Sequence, residues 1–547
     1  MMKTVYHQWV QSSFYKNELQ AITDETEIAD RFYQTVPFGT GGMRGKLGAG
    51  TNRMNIHTIR LVAEGLAREI EQQGQEAKRR GVVIAYDTRH FSQAFAYETA
   101  GVLAAHHIKS YVFTETRPTP ELSFAVRQLH AYAGVVITAS HNPKQYNGFK
   151  VYGEDGAQLT PQFADKIVSH MNAVEDIFEI QALPREQLLA SGFCMEMLDE
   201  LDDAYNTALQ SFATARKKAL RLVYTPLHGA GLVPTTRALR EAGFINLHIV
   251  EEQAIPSGEF PTVAYPNPEE VEAFKLAIAL GYQVEADLLL ATDPDADRLG
   301  VAVWDGEYKF LTGNQLGALL LNYILQTKCI PQNAAMIKTI VTSELGTAIA
   351  SKYGVTTINT LTGFKFIAEK IAEWEQTGEY AFMFGYEESY GYLAGDFVRD
   401  KDAVQMALLT AEMAAYYKAQ GQTLLDVLYH LYEELGWYKE ALVSLTFEGI
   451  EGQQKMASIM ETFRQHPPTS FAGIAVEQME DYRLGNINGL PKADVVKFML
   501  ADESWICVRP SGTEPKCKFY IGVKAQSETA SMKRMEQLQA SLRLYLQ

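Results

Sequence analysis

Two stretches decide the fold. Gly134-Val-Val-Ile-Thr138 runs straight into Ala139-Ser-His-Asn-Pro143, and Asp287-Leu-Leu-Leu-Ala-Thr292 runs straight into Asp293-Pro-Asp-Ala-Asp-Arg298. Each is a short apolar run followed at once by a loop of reactive side chains. Such a run reads as a buried strand of an α/β domain, and ligands in open α/β sheets bind just beyond the carboxyl ends of strands. Tyr380-Ala-Phe-Met-Phe384, running into Gly385-Tyr-Glu-Glu-Ser-Tyr-Gly391, is a third example.

Outward from these three points, the same βαβ pattern precedes each loop, which marks an internal repeat. The first copy has a strand over Gly81 to Asp87, a helix over 92 to 106, a strand over 110 to 114 and a helix over 119 to 130. The second has strands at Arg221 to Thr225 and Ile245 to Val250, with helices over 231 to 242 and 268 to 280. The third has strands at Met336 to Thr342 and Val355 to Asn359, with helices over 343 to 352 and 364 to 375. From about residue 440 the rhythm changes. Strands are expected at Ala441 to Phe447, Ala472 to Glu477, Ser504 to Val508 and Lys518 to Val523, with helices over 452 to 465 and 528 to 545. The segment before residue 35 reads as a helical extension. The expected fold class is therefore α/β: three related α/β/α domains plus a smaller C-terminal α+β domain around a central cleft. The expected domains are 1–205, with the serine loop; 206–312, with the aspartate loop; 313–438, with the glutamate loop; and 439–547.

Composition narrows the function classes. The 547 residues are 47% hydrophobic and 21% charged, which is globular rather than disordered or fibrous. Lys plus Arg is 49 and Asp plus Glu is 66, a net charge of −17. With no basic segment, a nucleic-acid partner is not expected. No signal-type N-terminus and no run of about 18 apolar residues is present, so neither export nor a membrane span is expected. Four cysteines without a C-x-x-C pair support neither a zinc site nor a disulfide scaffold, and read as free, buried thiols of a cytoplasmic protein.

The loops carry distinct chemistries. Ser140, exposed after a strand, could act as a nucleophile or carry a phosphoryl group, although a lone serine there is ordinarily a turn or cap residue. His141 could move a proton or simply hold the turn, and Lys150 could clamp phosphate. Asp293, Asp295 and Asp297 offer three hard oxygen donors suited to Mg²⁺. An EF-hand would need Gly and Glu where Arg298 and Trp304 stand, so the loop is a poor match to a calcium sensor. Arg298 is placed to hold phosphate. Glu387, Glu388 and Ser389 can grip sugar hydroxyls, and Lys401, in Arg399-Asp-Lys-Asp402, can supply a cation. Arg509-Pro-Ser-Gly-Thr-Glu-Pro-Lys516 presents an arginine and hydroxyls on a glycine turn, which suits a second phosphate. Gly39-Thr-Gly-Gly-Met-Arg-Gly45 lacks the P-loop spacing and instead presents Arg44.

In this order the motifs resemble those of the α-D-phosphohexomutase family over nearly the whole chain, and their wording is nearest to its longer phosphoglucomutase and phosphopentomutase branch. Tyr390-Gly391 stand where phosphomannomutase/phosphoglucomutase relatives carry a glycine and a histidine, so no catalytic histidine is expected there. The resemblance implies that phosphorylated Ser140 is the phosphoryl donor and that Mg²⁺ is held by Ser140, Asp293, Asp295 and Asp297. It implies Lys150 as general acid/base, helped by Arg44, His141 and Lys401. Substrate contacts are implied at Glu387, Ser389, Arg298, Thr362, Gly363, Arg509, Ser511, Gly512, Thr513 and Lys516. It also implies glucose 1-phosphate and glucose 6-phosphate as substrates, glucose 1,6-bisphosphate as intermediate and activator, and a monomer or weak homodimer. A mannose or pentose phosphate substrate, and more distantly a Mg²⁺-dependent sugar phosphatase, are the alternatives.

Overall fold

The structure is a computed structural model that describes residues 2–12, 14–39, 42–197, 199–214, 218–446, 449–510 and 516–545. It divides into two compact units. The first comprises Met1–Leu311, Ala368–Gln376 and Tyr390–Tyr416; the second comprises Thr312–Ile367, Thr377–Ser389 and Tyr417–Gln547.

The repeat is present in the strand order. In the first unit, Val82–Tyr86 is flanked by Ser110–Phe113 and Ala133–Ile137, all parallel. Leu222–Thr225 is likewise flanked in parallel by Leu247–Ile249 and Leu288–Thr292. In the second unit, Ala334–Thr339 lies in parallel between Thr356–Thr360 and Ala381–Glu387. The apolar runs are the cause. Val82–Tyr86, Ala133–Ile137 and Leu288–Thr292 are buried at every position, as parallel strands covered by helices on both faces must be.

Each of the first two sheets adds an antiparallel strand after its loop, which the sequence reading did not anticipate. Tyr146–Tyr152 returns beside Ala133–Ile137, and Leu299–Trp304 returns beside Leu288–Thr292. The first return strand also pairs Gly42–Lys46, which places Gly42 opposite Lys150 and Arg44 opposite Gly148.

Residues 437–525 form an antiparallel sheet in the order Trp437–Thr446, Lys516–Ala525, Trp505–Pro510, Val496–Leu500, Ile474–Asp481 and Ser470–Phe471. Met460 and Phe463 of one helix and Met535, Leu538 and Leu542 of another pack on it against Phe498, Val508, Phe519 and Ile521. The helical N-terminal extension is present as Met2–Gln11, Lys16–Ala21 and Glu25–Phe32, anchored by fully buried Trp9.

Several expectations need correction. The boundary at 205/206 cuts the helix Glu200–Leu209, and that at 438/439 cuts the strand Trp437–Thr446. The helix expected over 268 to 280 is a 3-10 turn, Val271–Phe274, leading into Lys275–Val284. The strand expected to reach Thr342 stops at Thr339. All four cysteines are free, but Cys329 is exposed rather than buried.

The C-terminal sheet contains a close contact that fixes one residue type. Gly522 lies directly opposite Trp505, and a Cβ on Gly522 would fall 2.2 Å from the Trp505 indole. Trp505 is 2% exposed and has little room to retreat. Gly522→Ala is expected to destabilise this domain by about 1–3 kcal/mol, the usual range for overpacking. Urea titration of both proteins checks this, and coincident curves would contradict it.

Candidate active site

The carboxyl ends of Ala133–Ile137 and Leu288–Thr292 bring two loops of the first unit together. Ser140 Oγ donates a hydrogen bond to Asp293 Oδ2 at 2.6 Å and lies 3.1 Å from His141 Nδ1. Ser140 adopts φ 51° and Ala296, in the aspartate loop, φ 48°, a left-handed conformation that non-glycine residues rarely adopt. Strain of this kind concentrates at functional sites. It is held in place from beneath. The Ser140 N–H donates to Thr138 Oγ1 at 2.8 Å, and Thr138 donates to Asp87 at 2.6 Å. The Arg89 guanidinium donates to the carbonyls of Ser140, Asn142, Pro143 and Tyr146.

Asp293, Asp295 and Asp297 are all buried, with one carboxylate oxygen from each lying within 4.8 Å of the others. Burial, then the two neighbouring carboxylates, pushes Asp293 well above the usual carboxylate range. Burial also works to raise Asp297, but Lys401, Lys150 and Arg298 outweigh it and hold that carboxyl far down. Lys150 Nζ lies 2.8 Å from Asp295 and 3.3 Å from Asp297, and Lys401 Nζ lies 3.3 Å from Asp297. Burial works to lower Lys150, and the charges of Asp295 and Asp297 outweigh that and raise it. Burial, then Arg298 and Arg44, pushes His141 well below the usual histidine value.

The trio passes a simple test for a divalent cation. Oδ1 of Asp295 and Oδ1 of Asp297 are buried without a hydrogen-bond partner, the latter with only Arg298 Nε at 3.9 Å, a costly state for carboxylate oxygens unless a further cation takes them. Three hard oxygen donors suit Mg²⁺.

Other expected residues fall around this centre. Arg44 donates to Asn142 of the serine loop at 2.7 Å. Arg298 pairs with Glu269. Lys401 is held by Asp400 at 3.0 Å, in a segment where Arg399, Asp400 and Asp402 are all buried. A solvated surface cluster is thereby ruled out. Gly391 allows that placement: a Cβ there would meet the Lys401 stem at 2.2 Å.

In the second unit, Glu387 is buried and Glu387 Oε1 accepts the Gly363 N–H at 2.8 Å. Thr362 Oγ1 is buried without a partner. Ser389 is half-buried and follows Glu388, which accepts from Thr342 Oγ1 at 3.2 Å. The Tyr520 hydroxyl is raised by burial and then by Glu388, and lowered by Arg509, so these two groups share one neighbourhood. Lys516 opens the strand Lys516–Ala525. Ser511, Gly512 and Thr513 lie outside the described residues.

Sequence reasoning missed Asp87, Arg89, Thr119 and Thr138. Asp87-Thr-Arg89 follows the first strand of the first repeat, and the strand-end rule that found Ser140 applies equally there.

Residues 35–177, 203–306 and 312–435 match phosphoglucomutase/phosphomannomutase alpha/beta/alpha domains I, II and III, and 450–539 match the C-terminal domain of the same proteins. The chain belongs to the phosphoglucomutase/phosphomannomutase family. A phosphoglucomutase of Staphylococcus aureus (strain bovine RF122 / ET3-1) is 41% identical over 511 residues, covering 91% of each chain. Membership of this family makes the chain an enzyme, a phosphosugar mutase. Solved structures of the family share its fold. A putative phosphomannomutase from Thermus thermophilus has a TM-score of 0.70 at 24% identity, covering 93% of this chain and 99% of that one. The open form of pp63/parafusin, a phosphoglucomutase from Paramecium, has a TM-score of 0.68 at 19% identity, covering 93% and 94%.

Glu388 gives this family member a pH signature. Burial, then the Glu387 charge, pushes its carboxyl up to about 7 from 4.5. A raised carboxyl binds its proton more tightly when folded. The stability it lends is complete below 4.5 and is lost as pH rises through 7. Glu388→Gln removes that dependence, so its melting temperature relative to the wild type should climb between pH 5 and pH 8. A constant difference across that window would contradict the assignment.

Proposed function

We propose that this chain is a phosphoglucomutase that interconverts glucose 1-phosphate and glucose 6-phosphate through phosphorylated Ser140. The observation that carries the reading is the contact between Ser140 Oγ and Asp293 Oδ2 at 2.6 Å, beside two further buried aspartates. Phosphoglucomutases 38–41% identical to the chain support glucose as the sugar.

In the forward half-reaction a free hydroxyl of the sugar monophosphate attacks the phosphorus on Ser140. A P–O bond to the sugar forms as the P–O bond to Ser140 Oγ breaks, giving glucose 1,6-bisphosphate and free serine. The hydroxyl proton passes to a nearby base, and a proton is delivered to the departing Ser140 oxygen. The bisphosphate then returns its other phosphoryl group to Ser140, and the product leaves. Asp293, Asp295 and Asp297, with an oxygen of phosphorylated Ser140, would hold Mg²⁺, which supplies charge stabilisation to the transferring phosphoryl group. Lys150 moves the proton, and Lys401, Arg44 and Arg298 add positive charge. His141 orients the serine side chain. Glu387 and Ser389 grip the sugar hydroxyls, assisted by the turn at Thr362 and Gly363. Arg509 and Lys516, with Ser511, Gly512 and Thr513, hold the phosphate that is not reacting. Catalysis of this kind rests on positioning and charge, and water must be kept from the phosphoserine.

The free thiols suit a reducing cytoplasm, and we assign the chain there as a monomer or weak homodimer.

Purified protein is expected to carry one phosphoryl group on Ser140 by intact mass. With Mg²⁺ and glucose 1,6-bisphosphate, glucose 1-phosphate should be turned over faster than mannose 1-phosphate or ribose 1-phosphate. Ser140→Ala should lower that activity roughly a thousandfold or more. Wild-type activity in the variant would refute the phosphoserine, and a preference for the pentose phosphate would refute the choice of sugar.

A further inference from the structure

Asp295 is gripped from outside its own loop. Asp295 Oδ2 accepts Lys150 Nζ at 2.8 Å and Thr119 Oγ1 at 2.8 Å. The Thr119 backbone N–H donates to the Asp295 carbonyl at 2.9 Å. One threonine therefore fixes both the side chain and the main chain of the central aspartate. Thr119 is 0% exposed and is the first residue of the helix Thr119–Gln128, where a backbone N–H has no partner within the helix. Pro120 follows it and restricts its backbone.

The other oxygen, Asp295 Oδ1, is buried without a partner. A carboxylate turns easily about its last torsion, which is broad and two-fold. With Thr119 and Lys150 both on Oδ2, that torsion is fixed and Oδ1 is the oxygen left over. With Lys150 alone, the carboxylate can turn so that either oxygen, or both, engages the ammonium.

We propose that Thr119 is a positioning residue for the divalent-cation site, acting through Asp295 to keep Oδ1 facing the cation. The proposal rests on reading the aspartate trio as the Mg²⁺ site of the mutase. Thr119 touches neither the sugar nor the phosphoryl group in this account, so its loss acts on cation affinity first. Removing the outer partner of a metal ligand typically weakens metal binding about 10- to 100-fold.

The test measures Mg²⁺ binding to the full chain by titration calorimetry, without sugar, and repeats it with Mn²⁺ by electron paramagnetic resonance. Thr119→Val keeps the shape and the backbone N–H but removes the hydroxyl; Thr119→Ser restores the hydroxyl. Ser123→Ala serves as a control for general disturbance of the same helix. Its hydroxyl is equally buried but bonds the Gly156 carbonyl and the Arg399 N–H. The expected result is cation affinity weakened about 10- to 100-fold in Thr119→Val, near wild type in Thr119→Ser and unchanged in Ser123→Ala. At saturating Mg²⁺ the KM for glucose 1-phosphate should be unchanged in Thr119→Val. Wild-type affinity in Thr119→Val, or equal weakening in Ser123→Ala, would overturn the proposal. If Thr119→Val does not fold, Thr119→Ala against Thr119→Ser gives the same comparison. A wild-type chain that neither binds Mg²⁺ nor isomerises the sugar phosphate would refute the functional reading itself. A wild type that does both, with an unaltered Thr119→Val, would refute only the role of Thr119.

Discussion

Three buried carboxylates within 4.8 Å of one another are the constraint on which the rest of the first unit turns. Like charges packed so closely away from water are strongly unfavourable unless positive charge meets them. The fold answers with Lys150 and Lys401, each bonded to the trio, and with Arg298 adjoining it. Each cation comes from a different piece of chain: a return strand, a buried loop and the aspartate loop itself. Their convergence explains details that look arbitrary in isolation. The return strand Tyr146–Tyr152 is needed to carry Lys150 back to Asp295 and Asp297. The bare Gly391 leaves the space that the Lys401 stem occupies. A chain with 66 acidic residues and 49 basic ones thus gathers its cations where the carboxylates are buried.

The serine loop depends on the same logic of compensation. A left-handed Ser140 persists because Arg89 ties down four carbonyls around it and Thr138 receives its N–H. Arg89 is itself buried and faces Asp87 at 3.3 Å, so the platform beneath the serine is an ion pair rather than an apolar floor. Such a platform is rigid and directional, which would suit the phosphoryl transfer proposed for Ser140.

Much of this was legible in the sequence because the parallel strands are buried on both faces and therefore read as unbroken apolar runs. Leu288 to Thr292 is a clear case, and its position fixed the aspartate loop. The return strands were not legible. Tyr146-Asn-Gly-Phe-Lys-Val-Tyr152 mixes polar and apolar residues without a regular alternation, because its polar groups are buried by partners that only the tertiary structure supplies. Asn147, for example, is buried through bonds to the His90 carbonyl and Ser92. Ile340-Val341-Thr342 misled in the opposite direction. Its apolar residues are buried not in a strand but as a turn packed with Tyr482, Trp505 and Tyr520 of the C-terminal domain. Thr119 gave no signal of its own, since a threonine at the start of a helix is ordinary until the Asp295 carboxylate is seen above it.

The central claim is that Ser140 passes its phosphoryl group to a sugar hydroxyl rather than to water. Isotopically labelled phosphoenzyme mixed with unlabelled glucose 1-phosphate and quenched within one turnover tests it directly. The account predicts that label leaves the protein and appears in glucose 1,6-bisphosphate and glucose 6-phosphate. Label recovered as inorganic phosphate, or retained on Ser140 while product accumulates, would contradict it.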